Sequence, residues 1–283
     1  MPKYLPARTR TVLCAITATL LVGMGVADAQ PPSAPASSPA SAQAAQQVQA
    51  TVTRSGHQLI VSCNQAEFYN CDIVPVTIDD VRRALTAPDG GAINTMLVQE
   101  TGGDIDANLA LGRLIHQRKL TVEVQKLCVG LCAIIVAPAA ARLVVPKGSG
   151  LVFVPLHSMM QKMAANMGPQ GTEIFKALDA RMAAYFQELN LDPQIPYGIG
   201  EAALVVKAAL AAGGGTQEPV IVADSAFLHN CLHIPSVDAH DYTIAETKEH
   251  VGQDGKAARA LLIKGKIYFD GKPVVDYDPP CGR

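Results

Sequence analysis

The chain has 283 residues, of which 49% are hydrophobic and 17% are charged, and its formal net charge is −2 at pH 7. A chain of this length and composition can bury a full-sized core, which predicts one or two domains. Its mildly acidic balance, without a basic stripe, gives no electrostatic basis for binding nucleic acid or anionic lipid, so neither is an expected partner.

The N-terminal segment has the anatomy of a secretory signal peptide. Lys3, Arg8 and Arg10 precede the apolar run "TVLCAITATLLVGMGVA", and the small residues "ADA" end just before Gln30. A retained membrane anchor is the alternative, and the small-residue cleavage site argues against it. Removal of residues 1–29 takes away three of the 23 basic and one of the 25 acidic side chains, which leaves a net charge of −4. We therefore predict a periplasmic or secreted protein that does not associate with the membrane after signal cleavage.

The composition then changes from a linker to strand and helix patterns. Residues 30–50, "QPPSAPASSPASAQAAQQVQA", bury too little apolar surface to offset their ordering entropy, so we predict a flexible, disordered linker. "ATVTRSGHQLIVSC" (50–63) predicts two short strands around a Ser-Gly turn. "TIDDVRRAL" (77–85) predicts a helix that Thr77 caps, with acidic side chains in its first turn and arginines beyond them.

Strand and helix patterns alternate in the next part of the chain. The segments are "INTMLVQE" (93–100, strand), "IDANLALGRLIHQR" (105–118, helix), "LTVEV" (120–124, strand), "CVGLCAIIVA" (128–137, short buried helix) and "ARLVV" (141–145, strand). The order of these segments and their spacing along the chain imply right-handed parallel crossovers, and therefore an α/β core of βαβ units.

The C-terminal half adds two helices and a hairpin. "TEIFKALDARMAAYFQEL" (172–189) has apolar residues along one helical stripe, and "GEAALVVKAALAAGGG" (200–215) is a helix with a glycine stop. "KGKIYFDGKPVVDY" (264–277) predicts a hairpin that turns on Asp270-Gly271. These patterns predict a main domain over 51–235 and a C-terminal extension with a hairpin over 236–283.

One segment of this chain resembles a known family. "GGDIDANLALGRLIHQRKLTVEVQKLCVGLCAIIVAPAAARLVVPKG", followed by "PLHS", resembles the exported, Clp-protease-like proteins of the ClpP/crotonase superfamily. In that family a Gly-Gly turn precedes a helix with an Ala…Leu-Gly…Ile pattern, a Cys-x-Ser-x-Cys elbow opens the next helix, and a strand ending in His follows. The resemblance covers roughly residues 90–160, about a quarter of the chain. It implies a ClpP/crotonase-like spiral of parallel βαβ units with a small C-terminal hairpin extension.

The resemblance also implies roles for individual residues. Gly102 and Gly103 match the turn whose backbone N–H groups stabilise an oxyanion, and Asp104 is placed to cap the helix that follows. Gly130 stands at the position of the family's serine, and His157 stands at the position of its general base. The alternatives are a plain tight turn at Gly103 and a packed or surface histidine at His157.

Departures from the family pattern decide the functional prediction. Gly130 has no side chain to attack a carbonyl, so the family's nucleophile is missing. No motif assigns the group that would orient the base, and Asp179 and Asp192 are guesses. Pro155 stands just before His157, where a central strand would normally donate an N–H. We therefore predict a non-catalytic relative whose cleft persists and whose serine chemistry is lost.

Six cysteines remain after the signal peptide, and an even number in an exported chain favours disulfides. Cys128 and Cys132 are four residues apart, which on a helical turn brings their Cα atoms to roughly 6 Å, so they are predicted to bond across the elbow. Proximity in sequence pairs Cys63 with Cys71 and leaves Cys231 for Cys281.

Other nucleophiles and ligands are weaker candidates. Ser149 and Ser158 lie near the histidine in sequence but not at an elbow, and the apolar surroundings of Cys128 and Cys132 disfavour a reactive thiol. "HNCLHIPSVDAHD" (229–241) contains zinc-type ligands, but its irregular alternation does not fix a tetrahedral site. We predict no metal and no cofactor.

The predicted function is a non-catalytic binding or assembly module. Peptide segments or another exported protein are the expected partners, and a homo-oligomer is compatible with the pattern. The alternative is a serine-type peptidase or esterase with an unidentified nucleophile. A third, weaker option is a crotonase-type acyl-CoA enzyme, against which export argues. The methionine-rich "SMMQKMAANM" (158–167) is predicted to be adaptable helix packing rather than a metal or sulfur site.

Overall fold

The computed structural model describes residues 48–63, 71–100, 102–212, 218–244, 250–251 and 257–277. The predicted signal peptide, most of the predicted linker and Cys281 lie outside these residues. The described residues belong to one unit, residues 45–283. Residues 48–50, predicted as the end of the linker, are part of this unit, because 48–49 form a strand and Ala50 is buried.

The strands are β1 (Val48–Gln49), β2 (Thr51–Ser55), β3 (Gln58–Ser62), β4 (Cys71–Ile73), β5 (Thr95–Glu100), β6 (Gly102–Gly103), β7 (Thr121–Val129), β8 (Arg142–Val145), β9 (Gly150–Val152), β10 (Glu218–Ala223), β11 (Val237–Ala239), β12 (His250–Val251), β13 (Ala257–Ile263), β14 (Lys266–Phe269) and β15 (Lys272–Asp276). The α-helices are α1 (Pro75–Thr86), α2 (Ile105–Arg118), α3 (Leu156–Asn166), α4 (Gly168–Glu188), α5 (Gln194–Ala212) and α6 (Ser225–Asn230). Two short helical segments, Cys132–Val136 and Ala137–Ala139, follow β7. Among the described helices, none is long and apolar enough to cross a membrane.

The largest sheet has seven strands. Its order is β11-β8-β7-β5-β3-β2, and β9 pairs with the last residues of β7. The pairs β3·β5, β5·β7, β7·β8 and β7·β9 are all parallel, and α1, α2 and the short helices after β7 lie in the connections. This arrangement confirms the predicted α/β fold of parallel βαβ units.

Two smaller sheets complete the fold. β1, β4 and β6 form a parallel sheet in that order, and β10, β13, β14 and β15 form another, with β12 beside β13. Asp270 and Gly271, with φ angles of 46° and 76°, make the two-residue turn predicted between β14 and β15. β11 pairs with β8 in the largest sheet, so strand pairing crosses the boundary predicted at residue 236.

Helix α1 begins two residues before its predicted start. Val74 is the N-cap and Pro75, which suits the first helical position, follows it. Thr77 is therefore not the N-cap that was predicted. It is the third residue of the helix, where its buried hydroxyl accepts from the N–H of the N-cap, Val74, at 3.4 Å, as in a capping box, and donates to Ala50 O at 3.3 Å. The two acidic residues follow the first turn, and each pairs with an arginine three residues later.

Strand β7 bends where it changes partner. Residues 121–123 pair with β8, and residues 127–129 pair with β9. Between them Lys126 has φ of 63°, and its N–H donates to Ser149 Oγ at 3.1 Å. Ser149 is buried. Its hydroxyl therefore satisfies an amide at the bend, which is a structural task.

The helical segments after β7 run through the core, and every residue from Cys132 to Ala139 is buried. Tyr185 of α4 reaches them, and its hydroxyl donates to Ile135 O at 2.8 Å. The same hydroxyl lies over Gly112 of α2, where a Cβ would collide with it. The glycine therefore allows α4 to approach α2 closely enough to cover the segment.

Candidate functional site

Three of the predicted site segments follow neighbouring parallel strands. β5 leads to Gly102 and Gly103, β7 leads to Gly130, and β9 leads to His157. β7 pairs in parallel with β5 and, over its last three residues, with β9. The carboxyl ends of parallel strands meet at one edge of a sheet, with neighbouring strands about 4.8 Å apart. The fold therefore brings the three segments to the same edge.

Gly130 makes a sharp turn between β7 and the buried helical segment. Its φ is 60°, in the left-handed region where a side chain is strained, and nucleophile elbows use such a strained strand-to-helix turn. Its N–H donates to Val152 O at 3.0 Å, and its carbonyl accepts from the Ile134 N–H at 2.9 Å. The backbone thus has the shape of an elbow, while the residue itself is buried and offers no attacking atom.

A disulfide spans this elbow, as predicted. The Cα atoms of Cys128 and Cys132 are 5.2 Å apart, and both residues are fully buried. The expectation that both lie on a helical turn is wrong, because β7 continues to Val129 by pairing with β9 and only Cys132 is helical. The predicted bond between Cys63 and Cys71 is present too, with a Cα separation of 5.5 Å.

The Gly102-Gly103 segment was expected to be a turn and is instead the short strand β6. It pairs in parallel with β4 and stands at the end of its sheet. Gly103 has φ of 108°, and a Cβ there would collide with the backbone of Ile73, so only glycine fits. Asp104 caps α2 as predicted, because its Oδ1 accepts from the Ala107 N–H at 2.7 Å.

Two polar residues that sequence reasoning missed lie beside β6. Asn108 is fully buried, and its Nδ2 donates to Gly102 O at 3.2 Å and to Asp104 O at 3.0 Å, which holds β6 from the helix side. Asp72 of β4 places Oδ1 3.6 Å from where a Cβ would stand on Gly102. Partial burial raises the pKa of the Asp72 carboxyl. This acid therefore adds a polar group to the edge formed by β6.

His157 lies in the first turn of α3, and the prediction that it ends a strand is wrong. β9 stops at Val152, and Val154 O then accepts from the Leu156 N–H at 2.7 Å. Pro155 between them has φ of −73° and ψ of 61°, the angles of an inverse γ-turn. The proline therefore redirects the chain into α3 and costs no strand hydrogen bond.

The imidazole of His157 is half-buried between α4 and α5. Its centroid lies 5.3 Å from that of Phe175 and 5.0 Å from that of Tyr197. Its Nε2 lies 3.7 Å from Asp179 Oδ1, which is longer than a hydrogen bond. The Tyr197 hydroxyl donates to the same oxygen at 3.2 Å, and burial, with the Asp179 charge, raises the pKa of Tyr197. Asp192, the other guessed acid, accepts from a backbone amide two residues away.

This geometry differs from that of a working triad. In a triad the base donates one N–H to the carboxylate within hydrogen-bond distance and meets the nucleophile with its other nitrogen. The Asp179 oxygen here is shared with a tyrosine, and the ring of His157 packs between two aromatic side chains. The site therefore keeps a histidine and a carboxylate in contact range without the arrangement that activates a hydroxyl.

Helix α5 fixes the start of α3. The Glu201 carboxylate accepts from the Ser158 N–H at 2.9 Å and also from the Ser158 hydroxyl. Gly200 packs so tightly on the γ-turn that a Cβ would collide with the carbonyl of Val154. Because an anion is favourable at a helix N-terminus, Glu201 supplies the cap that Pro155 does not. Ser158 is therefore a structural hydroxyl in this arrangement.

The zinc-type ligands of 229–241 are spread over separate contacts. His229 and His233 each meet a backbone carbonyl through Nδ1, at 2.8 Å and 2.9 Å. Cys231 is disulfide-bonded, and its predicted partner, Cys281, lies outside the described residues. Asp238 pairs with an arginine of β8, and Asp241 accepts from the serine that begins α6. Within the described ranges, no three His, Cys, Asp or Glu side chains come together as a metal site.

Comparison with known proteins adds a likeness in fold alone. No protein-family model matches the chain, and neither does any curated protein sequence. An enoyl-CoA hydratase from Polaromonas sp. JS666 is similar in structure, with a TM-score of 0.30 and 13% identity over 57% of this chain and 84% of its own. An enoyl-CoA hydratase/isomerase from Marinobacter aquaeolei has a TM-score of 0.34 and 12% identity over 68% of this chain and 70% of its own. At these values no residue role, substrate or activity is carried over.

Proposed function

We propose that the protein is an exported, non-catalytic module that binds extended peptide segments at the edge formed by β6 and the Gly130 elbow. The observation that carries the proposal is Gly130 itself. The backbone at this position turns as a nucleophile elbow does, and the residue has no side chain. A catalytic nucleophile would therefore have to come from elsewhere.

The neighbouring side chains that could act instead are engaged in structural bonds. Ser149 satisfies an amide at the bend of β7, and Ser158 is bonded to Glu201 at the start of α3. Cys128 and Cys132 form a buried disulfide, so neither is a thiol. These contacts weigh against the alternative of a serine-type or cysteine-type hydrolase.

The form of β6 supports an extended peptide as the ligand. β6 stands at the end of its sheet, Gly103 is exposed, and neither residue of the strand has a side chain to obstruct an incoming backbone. An extended peptide adds to such an edge through main-chain hydrogen bonds, while neighbouring pockets select its side chains. Asp72 beside Gly102 would favour a peptide that presents a hydrogen-bond donor or a positive charge there.

Export is the part of the proposal that the cysteines support. The five cysteines of the described ranges are all disulfide-bonded. Disulfides persist in oxidising compartments such as the periplasm or the extracellular space. With the signal-like N-terminus, this favours a periplasmic or secreted location.

The absence of catalysis is tested at Gly130. The wild type should neither react with a fluorophosphonate probe nor turn over an activated ester. Gly130→Ser should add only faint ester hydrolysis, at most about tenfold above background, because His157 is not arranged to activate the added hydroxyl. Gly130→Ala is the matched control, since it adds the same backbone strain without the oxygen. Probe labelling of the wild type that Ser149→Ala or Ser158→Ala abolishes would favour the hydrolase instead.

Peptide binding is tested separately at β6. Fluorescence anisotropy of an unfolded, carboxymethylated model protein should rise on addition of the wild type. Gly102→Leu should weaken this binding at least tenfold, because the side chain occupies the edge while the backbone tolerates it. Gly91→Leu is the control, since a Cβ there meets nothing within 4 Å. Equal binding by both variants, or no binding by the wild type, would remove the peptide part of the proposal.

A further inference from the structure

A cavity of about 550 Å³ lies where three neighbouring strands of the largest sheet begin. Lys119 stands two residues before β7, residues 138–141 lead directly into β8, and Pro235 stands two residues before β11. These strands are adjacent and parallel, so the segments before them meet at one edge of the sheet. Gly130 follows the other end of β7, so the cavity lies at the opposite edge from the site described above. We call it the amino-edge pocket.

The amino-edge pocket combines an apolar lining with basic side chains. Residues 138–140 are buried and contribute one proline and two alanines. His116, Lys119 and His233 are exposed and supply the titratable groups, and none of the ten described residues that line the pocket is acidic. Small-molecule sites have this kind of lining and a volume of about 300–1,000 Å³. The pocket therefore suits a ligand with an apolar body and a negative charge.

Lys119 carries a charge that the fold does not use. It is the C-cap of α2, where its backbone N–H donates to His116 O at 3.2 Å and the Leu120 N–H donates to Ile115 O at 3.1 Å. Backbone amides therefore satisfy these carbonyls at the end of the helix, and the lysine side chain is not needed for this task. The Lys119 ammonium has no hydrogen bond or ion pair within the described part of the chain. It is available to a ligand that enters the pocket.

The imidazole of His233 is held at the pocket by another residue of the lining. Its Nδ1 lies 2.9 Å from Asn190 O. Because a carbonyl oxygen only accepts, Nδ1 carries a proton, and Nε2 is left to meet a ligand. Glu188 lies close enough to His116 to interact with it electrostatically, but it accepts two hydrogen bonds from Arg113. The charge of this acid is therefore largely compensated outside the pocket.

Three residues of the lining have a left-handed backbone. The φ angle is 52° at Lys119, 55° at Asn190 and 52° at His233. Asparagine and histidine adopt this conformation more often than most side chains do, whereas lysine is uncommon there and glycine is usual at such a helix end. Lys119 therefore keeps a side chain where glycine would fit with less strain. Strained residues of this kind cluster at binding sites.

We propose that the amino-edge pocket binds a small monocarboxylate whose apolar body lies against residues 138–140. Lys119 pairs with the carboxylate, and His116 and His233 supply further hydrogen-bonding groups beside it. One ammonium matches one carboxylate, whereas a doubly charged phosphate would find no second lysine or arginine in the lining. The inference does not depend on what the β6 edge binds.

Compensation of helix dipoles is the structural alternative for these basic residues. α2 and α4 both end at the pocket, and the C-terminus of a helix favours a cation. In that role, loss of the Lys119 charge lowers the stability of the fold. In a ligand site it lowers the affinity for the ligand. Binding and thermal unfolding of the same variant therefore separate the two roles.

The experiment follows the backbone amide shifts of the isotope-labelled intact protein during titration with hexanoate, benzoate and phenylacetate. At least one of them should shift the amides of residues 116–120 and 232–234 with a Kd on the order of 1 mM, the affinity expected of so few ligand atoms. Hexanamide, benzamide and phenylacetamide have the same apolar bodies without the charge and should bind at least tenfold more weakly. Inorganic phosphate, which lacks the apolar body, should also bind at least tenfold more weakly.

Lys119→Gln should weaken carboxylate binding at least tenfold, and Lys119→Arg should retain most of it. Lys162→Gln, which removes an exposed charge from α3, is the matched control and should bind as the wild type does. Without ligand, the Tm of Lys119→Gln should stay within about 2 °C of the wild type. Equal binding of carboxylates and amides, equal affinities of the two glutamine variants, or unchanged binding by Lys119→Gln with a lowered Tm would overturn the proposal. So would titrations in which none of the three carboxylates shifts these amides.

Discussion

The elbow at Gly130 and the start of α3 at His157 are built in opposite ways, although they lie at the same edge of the sheet. The elbow is held by backbone hydrogen bonds, one of them to Val152 of β9, and by the disulfide between Cys128 and Cys132. The start of α3 is held by side chains from α4 and α5, at Asp179, Tyr197 and Glu201. One part of the site is therefore fixed by backbone bonds and a disulfide, and the other is fixed by side chains from neighbouring helices.

This difference bears on what each part of the site depends on. The shape of the elbow depends on the backbone, because the hydrogen bonds of Gly130 do not involve a side chain. The position of His157 depends on side chains of other helices, because its ring packs between Phe175 of α4 and Tyr197 of α5.

The largest expected effect comes from Gly200 of α5, because it packs against the turn that leads into α3. A Cβ there would collide with the carbonyl of Val154, and a backbone atom cannot move aside cheaply. Gly200→Ala should lower the free energy of unfolding by about 3 kcal/mol and the Tm by roughly 6–12 °C. Gly91→Ala, with open space around it, should change stability by less than about 1 kcal/mol. Equal effects of the two changes in thermal unfolding would contradict the tight contact.

A somewhat smaller effect is expected at the elbow. The double variant Cys128→Ala/Cys132→Ala removes a disulfide that closes a very short loop, which should lower the free energy of unfolding by about 2 kcal/mol. Hydrogen exchange should become faster at the amides of residues 130–136 and stay unchanged at the start of α3. If α3 exchanges faster as well, the two parts of the site are not built independently.

The cap on α3 should contribute less. Glu201→Gln keeps a hydrogen-bond acceptor near Ser158 and removes the negative charge from the helix N-terminus. We expect a loss of about 0.5–1 kcal/mol in urea unfolding. Glu173→Gln, which removes an exposed acid paired with Lys176 on α4, should change stability by less than about 0.5 kcal/mol. A loss no larger than in this control would mean that Glu201 does not cap α3.

The fold was predictable to the extent that its signals are local. The bounds of α2, the hairpin at Asp270-Gly271 and the two disulfides of near neighbours follow from periodicity, turn chemistry and spacing, and the structure has all of them. The cap at Asp104 belongs to the same class. Each of these features is decided by residues that are close to one another in the sequence.

The misassigned features are those decided by distant partners. β7 continues to Val129 because β9 pairs with it, and the sequence of β7 does not reveal that pairing. Asp179 could be named only as a guess, since its position beside His157 depends on how α4 packs against α3. The exposure of Met159, Met163 and Met167 was missed for the same reason. The sequence alone does not tell whether a flexible methionine side chain is buried in a core or exposed at a surface.

The smallest expected effect concerns an ion pair between α2 and α4. Arg113 of α2 forms two hydrogen bonds at 2.8 Å and 2.9 Å with Glu188 at the end of α4. The hydrogen bond from Arg113, with its charge, lowers the pKa of the Glu188 carboxyl. A carboxylate with a lowered pKa stabilises the fold fully above the ordinary range of a glutamate, about pH 4.3, and this contribution is lost as the pH falls through the lowered value.

Glu188→Gln should therefore cost at most about 0.5 kcal/mol at pH 7, because both side chains are partly exposed, and should cost progressively less as the pH falls below 4. Urea unfolding of the wild type and the variant at pH 7 and pH 3 measures this convergence. Because Arg113 also lies 5.5 Å from the centre of the Tyr185 ring, loss of the pair should loosen the contact of Tyr185 with Ile135 before it affects His157. A pH-independent difference between the two proteins would mean that Glu188 acts by packing, and the charge would then contribute nothing to the link between the elbow and α4.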